Sequence, residues 1–562
     1  MRYLLPLTIC IILSSTSLIA QNLGIDYFIQ TTGTGYSEAY GISEDGQGYI
    51  YSFGGFSDSI DLDPGSSVDL HYSKRSAAFI QKFDSNGTFI WAKALNGKER
   101  VYLYFIKTDA AGNIYIAGAI TARTDLDPGP DSFYHEPNGS TDGFILKLNS
   151  DGEFQWVYTI DAPMADYVRA VNVDNDGSVY AAGIFERSFD ADNSSEEAIL
   201  ETKGRHDVYL MQLNDKGEFN WAISFGSDFD EDVAAIEIDQ VGDIYLIGQF
   251  QNKVDFDPDN DEYIIQSKGG ADAYISKFDN EGDLIWAEGI GGTANEAGLG
   301  LNHDDNGNVY LCGYFNDTVD FDNSTSVQKF AAVGNDDVFA MKLDYAGNFV
   351  WASTFGGPRR DRAIALSLDY NKNVHLTGFF EDTIDFDPGT GVNEISSNGD
   401  DDIFIQKLNN DGEYLSTATY GGKEGDYGYG LINKGNDMLL CGSFGDTVNF
   451  EPSSSSHIYV ASVSSNAFIL KTKELSVSVP KNLNSNSLNV YPNPSNGELN
   501  ISFNKAQKNI TIGIFQISGS NVFNSTYRNT DEITLNFDGE PGTYLVQVIS
   551  DSGSENTIIT KE

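Results

Sequence analysis

Cysteine is scarce: three occur in 562 residues, at Cys10, Cys312 and Cys441. So few exclude a disulfide framework as the source of stability. Positive charge is scarce as well, with 34 Lys and Arg against 83 Asp and Glu and a net charge of −49. So acidic a chain repels nucleic acid and anionic membrane surfaces, because both need a dense basic footprint. The six histidines are scattered, with no His-x-x-x-His pair, and there is no Gly-x-Ser-x-Gly elbow. The usual signatures of zinc and serine hydrolases are therefore missing. After the first twenty residues no run of about 18 apolar residues occurs, so no membrane-spanning helix is expected. No segment sustains a helical period. Hydrophobic residues are still 40% and aromatics 12%, which a folded chain has and a disordered one lacks.

Residues 1–20 read as a secretory signal. Arg2 gives the positive start, Leu4 to Leu18 the apolar stretch, and Ala20-Gln21 the cleavage point. Cys10 leaves with it, and the mature charge becomes 33 − 83 = −50.

The five tryptophans stand 65 residues apart, at Trp91, Trp156, Trp221, Trp286 and Trp351. A fixed period of this length is one structural unit copied along the chain. Other columns keep step: Gly54, Gly118, Gly183, Gly248, Gly313, Gly378 and Gly442; Tyr51, Tyr115, Tyr180, Tyr245 and Tyr310, continued by His375 and Leu439; Asp142, Asp207, Asp272, Asp337 and Asp402, continued by Asn466. That makes seven copies, the sixth with Ser416 in place of Trp. Each copy has four strand-like runs; in the fifth they are Leu299 to His303, Asn308 to Phe315, Asp337 to Leu343 and Asn348 to Thr354. Asp/Asn-x-x-Gly turns join the first to the second and the third to the fourth, where Gly accepts a positive φ at little cost. The seventh copy lacks its fourth run, and a matching one, Ile25 to Gly33, stands near the N-terminus with Tyr27 in the Trp position. The expected fold is all-β: a seven-bladed β-propeller over residues 21–474, closed by the N-terminal strand so that no edge stays open.

The pattern Gly-Gly…Asp-x-x-Gly-Asn-x-Tyr-x-x-Gly…Asp-x-Phe…Gly-x-x-x-Trp resembles the propeller repeat family known as SBBP, over about residues 23–474. The resemblance implies the fold and no single activity. Cys312 and Cys441 fall in blades five and seven, too far apart for a bridge that needs Cα atoms within roughly 7 Å, and are expected as buried free thiols. Trp91, Trp156, Trp221, Trp286 and Trp351 are expected to pack between blades, each contributing at most roughly 5 kcal/mol.

Residues 475–487 read as a linker, rich in Asn and Ser and carrying Pro480. Residues 488–562 hold short alternating runs such as Glu498 to Phe503 and Asn509 to Ile517, which suggests a small Ig-like β-sandwich. Tyr491-Pro492-Asn493-Pro494, Gly497, the Pro-Gly-Thr-Tyr run with Gly542, and terminal Lys561 resemble the type A C-terminal sorting domain of the type IX secretion system. That resemblance implies passage through the periplasm, the secretion machinery as partner, and release or attachment at the outer cell surface.

One acidic column recurs in the loop between second and third runs: Asp61/Asp63, Asp125/Asp127, Asp190/Asp192, Asp255/Asp257, Asp320/Asp322 and Asp385/Asp387, with Asn449/Glu451 in the seventh copy. Two readings stay open. Closely spaced carboxylates begin a Ca²⁺ site, which wants six to eight oxygens; alternatively each Asp caps its own loop in an Asx-type turn. Asp174-Asn175-Asp176-Gly177 resembles a calcium loop but lacks the acid expected at position 12. No catalytic residue stands out, since a pair repeated in every copy does not single out one site. The expected function is a secreted or surface-attached, monomeric binding module for a glycan or protein ligand. The alternatives are a polysaccharide hydrolase or lyase working in the central funnel and a structural surface-layer component. A concentration of unlike polar residues that breaks the sevenfold pattern would favour the enzyme.

Overall fold

In the computed structural model the described residues are 23–257, 262–322, 324, 327–389, 391–435, 437–451, 457–474, 489–491, 497–516, 521–537, 542–550 and 553–561. The signal at 1–20, with Cys10, and the linker at 475–487 lie outside them. All described regular structure is strand. The chain divides into two compact units, Met1–Glu474 and Leu475–Glu562.

In the first unit the 65-residue period becomes a set of antiparallel sheets. The second sheet runs Val101–Thr108, Ile114–Ile120, Asp142–Leu148, Phe154–Thr159, each strand hydrogen-bonded to the next. The sheets beginning at Ser37, Tyr167, Asp232, Ala297 and Arg362 repeat that order. Asp/Asn-x-x-Gly turns close the hairpins, with Gly307 at φ 75° and Gly347 at φ 83° in the fifth sheet. A small extra hairpin, unforeseen in the sequence, projects between second and third strands; in the fifth sheet it pairs Thr318–Asp320 with Lys329–Ala331.

The last sheet is Tyr427–Lys434, Asp437–Phe444 and Asn466–Glu474, and its outer strand is Leu23–Gln30 from the other end of the unit. The innermost strands neighbour one another in chain order, and Tyr427–Lys434 also lies against Ser37–Glu44. Alternation buries one row of each sheet against the next, so the core is a series of clusters between sheets; one of them joins Tyr310, Cys312 and Val338 to Leu376, Phe386 and Phe404. Cys312 and Cys441 are buried and unbridged, and burial pushes both thiols well above their usual range.

In the second unit Glu498–Gln516 is one 19-residue strand where the sequence suggests two. It pairs Asn489–Tyr491, Asn521–Asn536 and Gly542–Ser550, and the last pairs Gly553–Lys561. The described strands thus form one continuous hydrogen-bonded network. The long strand is the reason: its register with Asn521–Asn536 breaks between Ser502 and Gln507, yet it carries hydrogen bonding past the break. Leu499, Ile512, Ile533, Phe537, Tyr544 and Ile559 share its core.

Candidate functional site

The outer parts of the first unit are uniform. Each Trp donates its indole N–H to a backbone carbonyl in the outer hairpin of the next sheet, at 2.9–3.3 Å: Trp91 to Ser150, Trp156 to Asp215, Trp221 to Asn280, Trp286 to Tyr345, Trp351 to Asn410. The ring lies flat on that hairpin's glycine. A Cβ at Gly347 would come within 2.9 Å of Trp286, so the glycine is required for contact as well as for its positive φ. Tyr27 sits in the same way on Gly87. Ser416 occupies the one rung facing the strands Asn466–Glu474 and Leu23–Gln30, which come from opposite ends of the unit and share no hairpin for a Trp to clasp. Each column Tyr donates its hydroxyl to the Asp that opens its turn, Tyr310 to Asp304 at 3.1 Å. His375 replaces that Tyr, is buried, and sits 3.4 Å from Asp369, beside Lys407. Burial opposes ionisation of Asp369, yet hydrogen bonds from His375 and Asn373 hold its carboxyl well below the usual range.

The Asp-x-Asp pairs are likewise uniform. The first Asp accepts two backbone N–H groups, two and eight residues on: Asp61 from Asp63 (3.2 Å) and Asp69 (2.9 Å), and Asp125 from Asp127 (3.3 Å) and Phe133 (2.8 Å). Asp190, Asp255, Asp320 and Asp385 do the same. Asp63, Asp127, Asp192, Asp322 and Asp387 cap the N–H two residues on, and the Asp257 N–H donates to Asp255. One oxygen of each capping Asp therefore closes its own loop. Among the described residues these pairs form no group of three ligand atoms close enough to share a cation.

Two rows of buried carboxyls, unforeseen as sites, lie where one sheet meets the next. Asp142, Asp207, Asp272, Asp337 and Asp402 form one, and each accepts the N–H four residues back, as Asp337 does from Val333 at 2.9 Å. Their Oδ1 atoms have no hydrogen-bond partner. Asp166, Glu231, Glu296, Asp361 and Asp426, all buried, form the other. Burial pushes Glu231, Glu296, Asp361 and Asp426 up to about 7 and Asp166 to about 8, and the facing acid of the first row adds to the shift.

The innermost strands are varied. They enclose a cavity of about 480 Å³. At one end Lys107 pairs with Glu237 (3.3 Å) and Lys434 with Glu44 (2.7 Å). Strand direction places the other end on the side of the Asp-x-Asp loops. There an arc of tyrosines runs over adjoining strands: Tyr427 and Tyr429 stack at 5.8 Å, Tyr429 meets Tyr40 edge-on at 5.7 Å, Tyr102 stacks on Tyr104 at 6.2 Å, and Tyr104 meets Tyr167 at 6.2 Å. Arg169 lies over Tyr104 and Tyr167 and pairs with Asp232 at 3.4 Å. Burial raises Glu38, beside Tyr40, above the usual carboxylate range. The equivalent positions in the fourth to sixth copies include Ala234, Ala297, Leu299 and Ile364. Reading the first-strand column for departures instead of matches would have found the arc.

In the second unit Gly497, at φ 105°, packs on the Lys561 side chain, whose Nζ donates to the Phe537 carbonyl at 3.4 Å. Gly542 pairs with Lys561 along the backbone. Three of the expected sorting residues thus meet at one place. Tyr491 is half exposed and donates to Glu532 at 3.2 Å, and Pro492, Asn493 and Pro494 lie outside the described residues.

Residues 489–561 match the model of the Secretion system C-terminal sorting domain. The chain carries a type IX sorting domain and is directed to the cell surface or beyond. The chain is 22% identical over 357 residues to an uncharacterized WD repeat-containing protein of Acanthamoeba polyphaga mimivirus, covering 54% of this chain and 26% of that protein. It is 24% identical over 203 residues to the regulatory protein FlaEY of Caulobacter vibrioides, covering 35% and 20%. The chain spans about a quarter of the length of these relatives. Among solved structures, a subtype N10 neuraminidase-like protein from a little yellow-shouldered bat isolate aligns at 8% identity over 80% of this chain and 99% of its own, with a TM-score of 0.32.

Proposed function

We propose that residues 21–474 form a seven-bladed β-propeller of the SBBP type, closed by its N-terminal strand, and that it binds a glycan at the tyrosine-lined end of its central channel. Residues 1–20 serve as the signal, 475–487 as the linker and 488–562 as the sorting domain. The neighbouring of Tyr427–Lys434 and Ser37–Glu44 supports closure. The observation that carries the binding reading is the arc Tyr427, Tyr429, Tyr40, Tyr104 and Tyr167. It crosses neighbouring strands of a repeat whose fourth to sixth copies hold Asp232, Ala234, Ala297, Leu299, Arg362 and Ile364, and no aromatic residue, in those positions. Aromatic faces supply large, rigid contact area at low entropic cost, and the Arg169–Asp232 pair beside them offers directed polar groups.

A glycan array with the mature chain tests this. Retention that is lost in Tyr104→Ala and Tyr429→Ala supports the reading, and equal retention by both variants defeats it. A hydrolase is the second reading, supported by Glu38, whose raised carboxyl suits a general acid, and by the departure of this end from sevenfold uniformity. Turnover of an arrayed polysaccharide, abolished in Glu38→Gln, would favour it. Export is tested separately: removing 488–562 should leave the protein in the periplasm.

A further inference from the structure

The junction between the second and third sheets departs from its sisters at three linked positions. The buried Asp207, Asp272, Asp337 and Asp402 each face a glycine nineteen residues on: Gly226, Gly291, Gly356 and Gly421. A Cβ there would stand 2.0–2.4 Å from the carboxyl carbon, so the repeat keeps that space clear. At the sister residue Asp142 the equivalent of the glycine is Asp161, which brings a second carboxylate to the first. Seven residues before Asp142 stands His135, where the repeat has Leu200, Ile265, Phe330 and Ile395. Its cross-strand partner is Thr124, where the repeat has Phe189, Val254, Val319 and Ile384. One apolar pair and one glycine have become an imidazole, a hydroxyl and a carboxylate at a single place.

We propose that His135, Asp142 and Asp161 hold a divalent transition-metal ion, zinc by its donor set. One ligand atom from each lies within 4.8 Å of the others. His135 Nε2 is 2.7 Å from Asp142 Oδ2, which also accepts the Asn138 N–H at 3.2 Å. Asp142 is wholly buried, and its Oδ1 has no donor in the protein, so that oxygen is free for an ion. Two carboxylates side by side repel unless a cation or a proton lies between them. One nitrogen and two carboxylate oxygens suit zinc: the two acids neutralise its charge, and the imidazole favours it over Ca²⁺ or Mg²⁺. Asp161 is exposed, so a fourth position would open to solvent, as in zinc sites that bind water or substrate. Asp166 accepts the Ala162 N–H at 2.9 Å and so anchors the backbone next to Asp161.

The test is zinc titration of the mature full-length protein after stripping with chelator, followed by calorimetry at physiological salt, with cobalt as a spectroscopic probe. One tight site per chain is expected, with a cobalt band of low-coordinate nitrogen and oxygen ligation. Asp161→Gly and His135→Leu restore residues the sister junctions carry, so both variants should fold, as a melting curve checks. Each should weaken that site at least a hundredfold and remove the cobalt band. Zinc bound equally by the variants, or only loosely at many surface acids, overturns the proposal. So does a protein that takes up no zinc.

Discussion

The outermost and innermost strands of the first unit obey the same 65-residue period and differ in how they use it. On the outside, Trp and its turn glycine recur with little change, because each copy must fit the same neighbour. On the inside, equivalent positions lining the cavity hold Tyr40, Tyr104, Ala234, Leu299, Ile364 and Tyr429. Inner side chains face a shared cavity, not a copied neighbour, so packing does not force them to agree. Uniformity therefore marks what holds the sheets together, and variety marks where packing leaves side chains free to differ.

The largest effect should come from breaking the uniform side. Trp286 is 8% exposed, and Trp286→Ala should cost about 3–5 kcal/mol in denaturant unfolding through lost burial and the cavity left behind. Tyr104→Ala should cost less than half as much and remove glycan retention; a reversed order of stability would undo the contrast. Gly356→Ala should come next, at about 1–3 kcal/mol, because the new Cβ overpacks the Asp337 carboxyl 2.4 Å away. Asp255→Ala removes a cap from two backbone N–H groups and should cost about 1 kcal/mol. The expected change in melting temperature when calcium is added back to chelator-stripped protein is zero, and a rise that Asp255→Ala abolishes would make the Asp-x-Asp pairs cation sites.

The buried acids between sheets give a pH signature. Burial holds four of them near about 7 and Asp166 near about 8, above the unfolded value of roughly 4. The folded state thus binds protons that the unfolded state has released. Their contribution is whole below about pH 4 and is lost as pH rises through 7 to 8. Melting temperature should fall between pH 5 and pH 8, and a flat or rising profile would show these carboxyls ionised in the fold. Asp369, held low by His375 and Asn373, acts in the opposite sense, since its stabilisation is lost only when the pH drops below the usual carboxylate range.

Much of the frame was legible in the chain. The Trp ladder, the turn glycines and the Asp-x-x-Gly pattern mark strands within a residue or two, because a hairpin needs those residue types at those places. The gap at Ser416 and the stand-in at Tyr27 were legible as well; the structure adds that a Trp there would have no hairpin to clasp. The extra hairpins escaped notice because two or three residues carry no readable period. The buried acid rows escaped notice because an Asp in a column reads like any polar residue until its burial is known.

The order of strands and the direction of the chain through each repeat follow from the sequence alone, since local periodicity and turn chemistry act over short distances. The C-terminal sorting segment was equally legible, through a short motif and a terminal basic residue. Which carboxyls face one another across a junction is a tertiary matter. Asp142 and Asp161 are nineteen residues apart and meet only because the sheet folds back and hands the chain to its neighbour. The tyrosine arc, too, joins residues from Tyr40 to Tyr429, brought together because Tyr427–Lys434 lies against Ser37–Glu44. Such contacts depend on how sheets stack around a centre, and no local property of the chain records that.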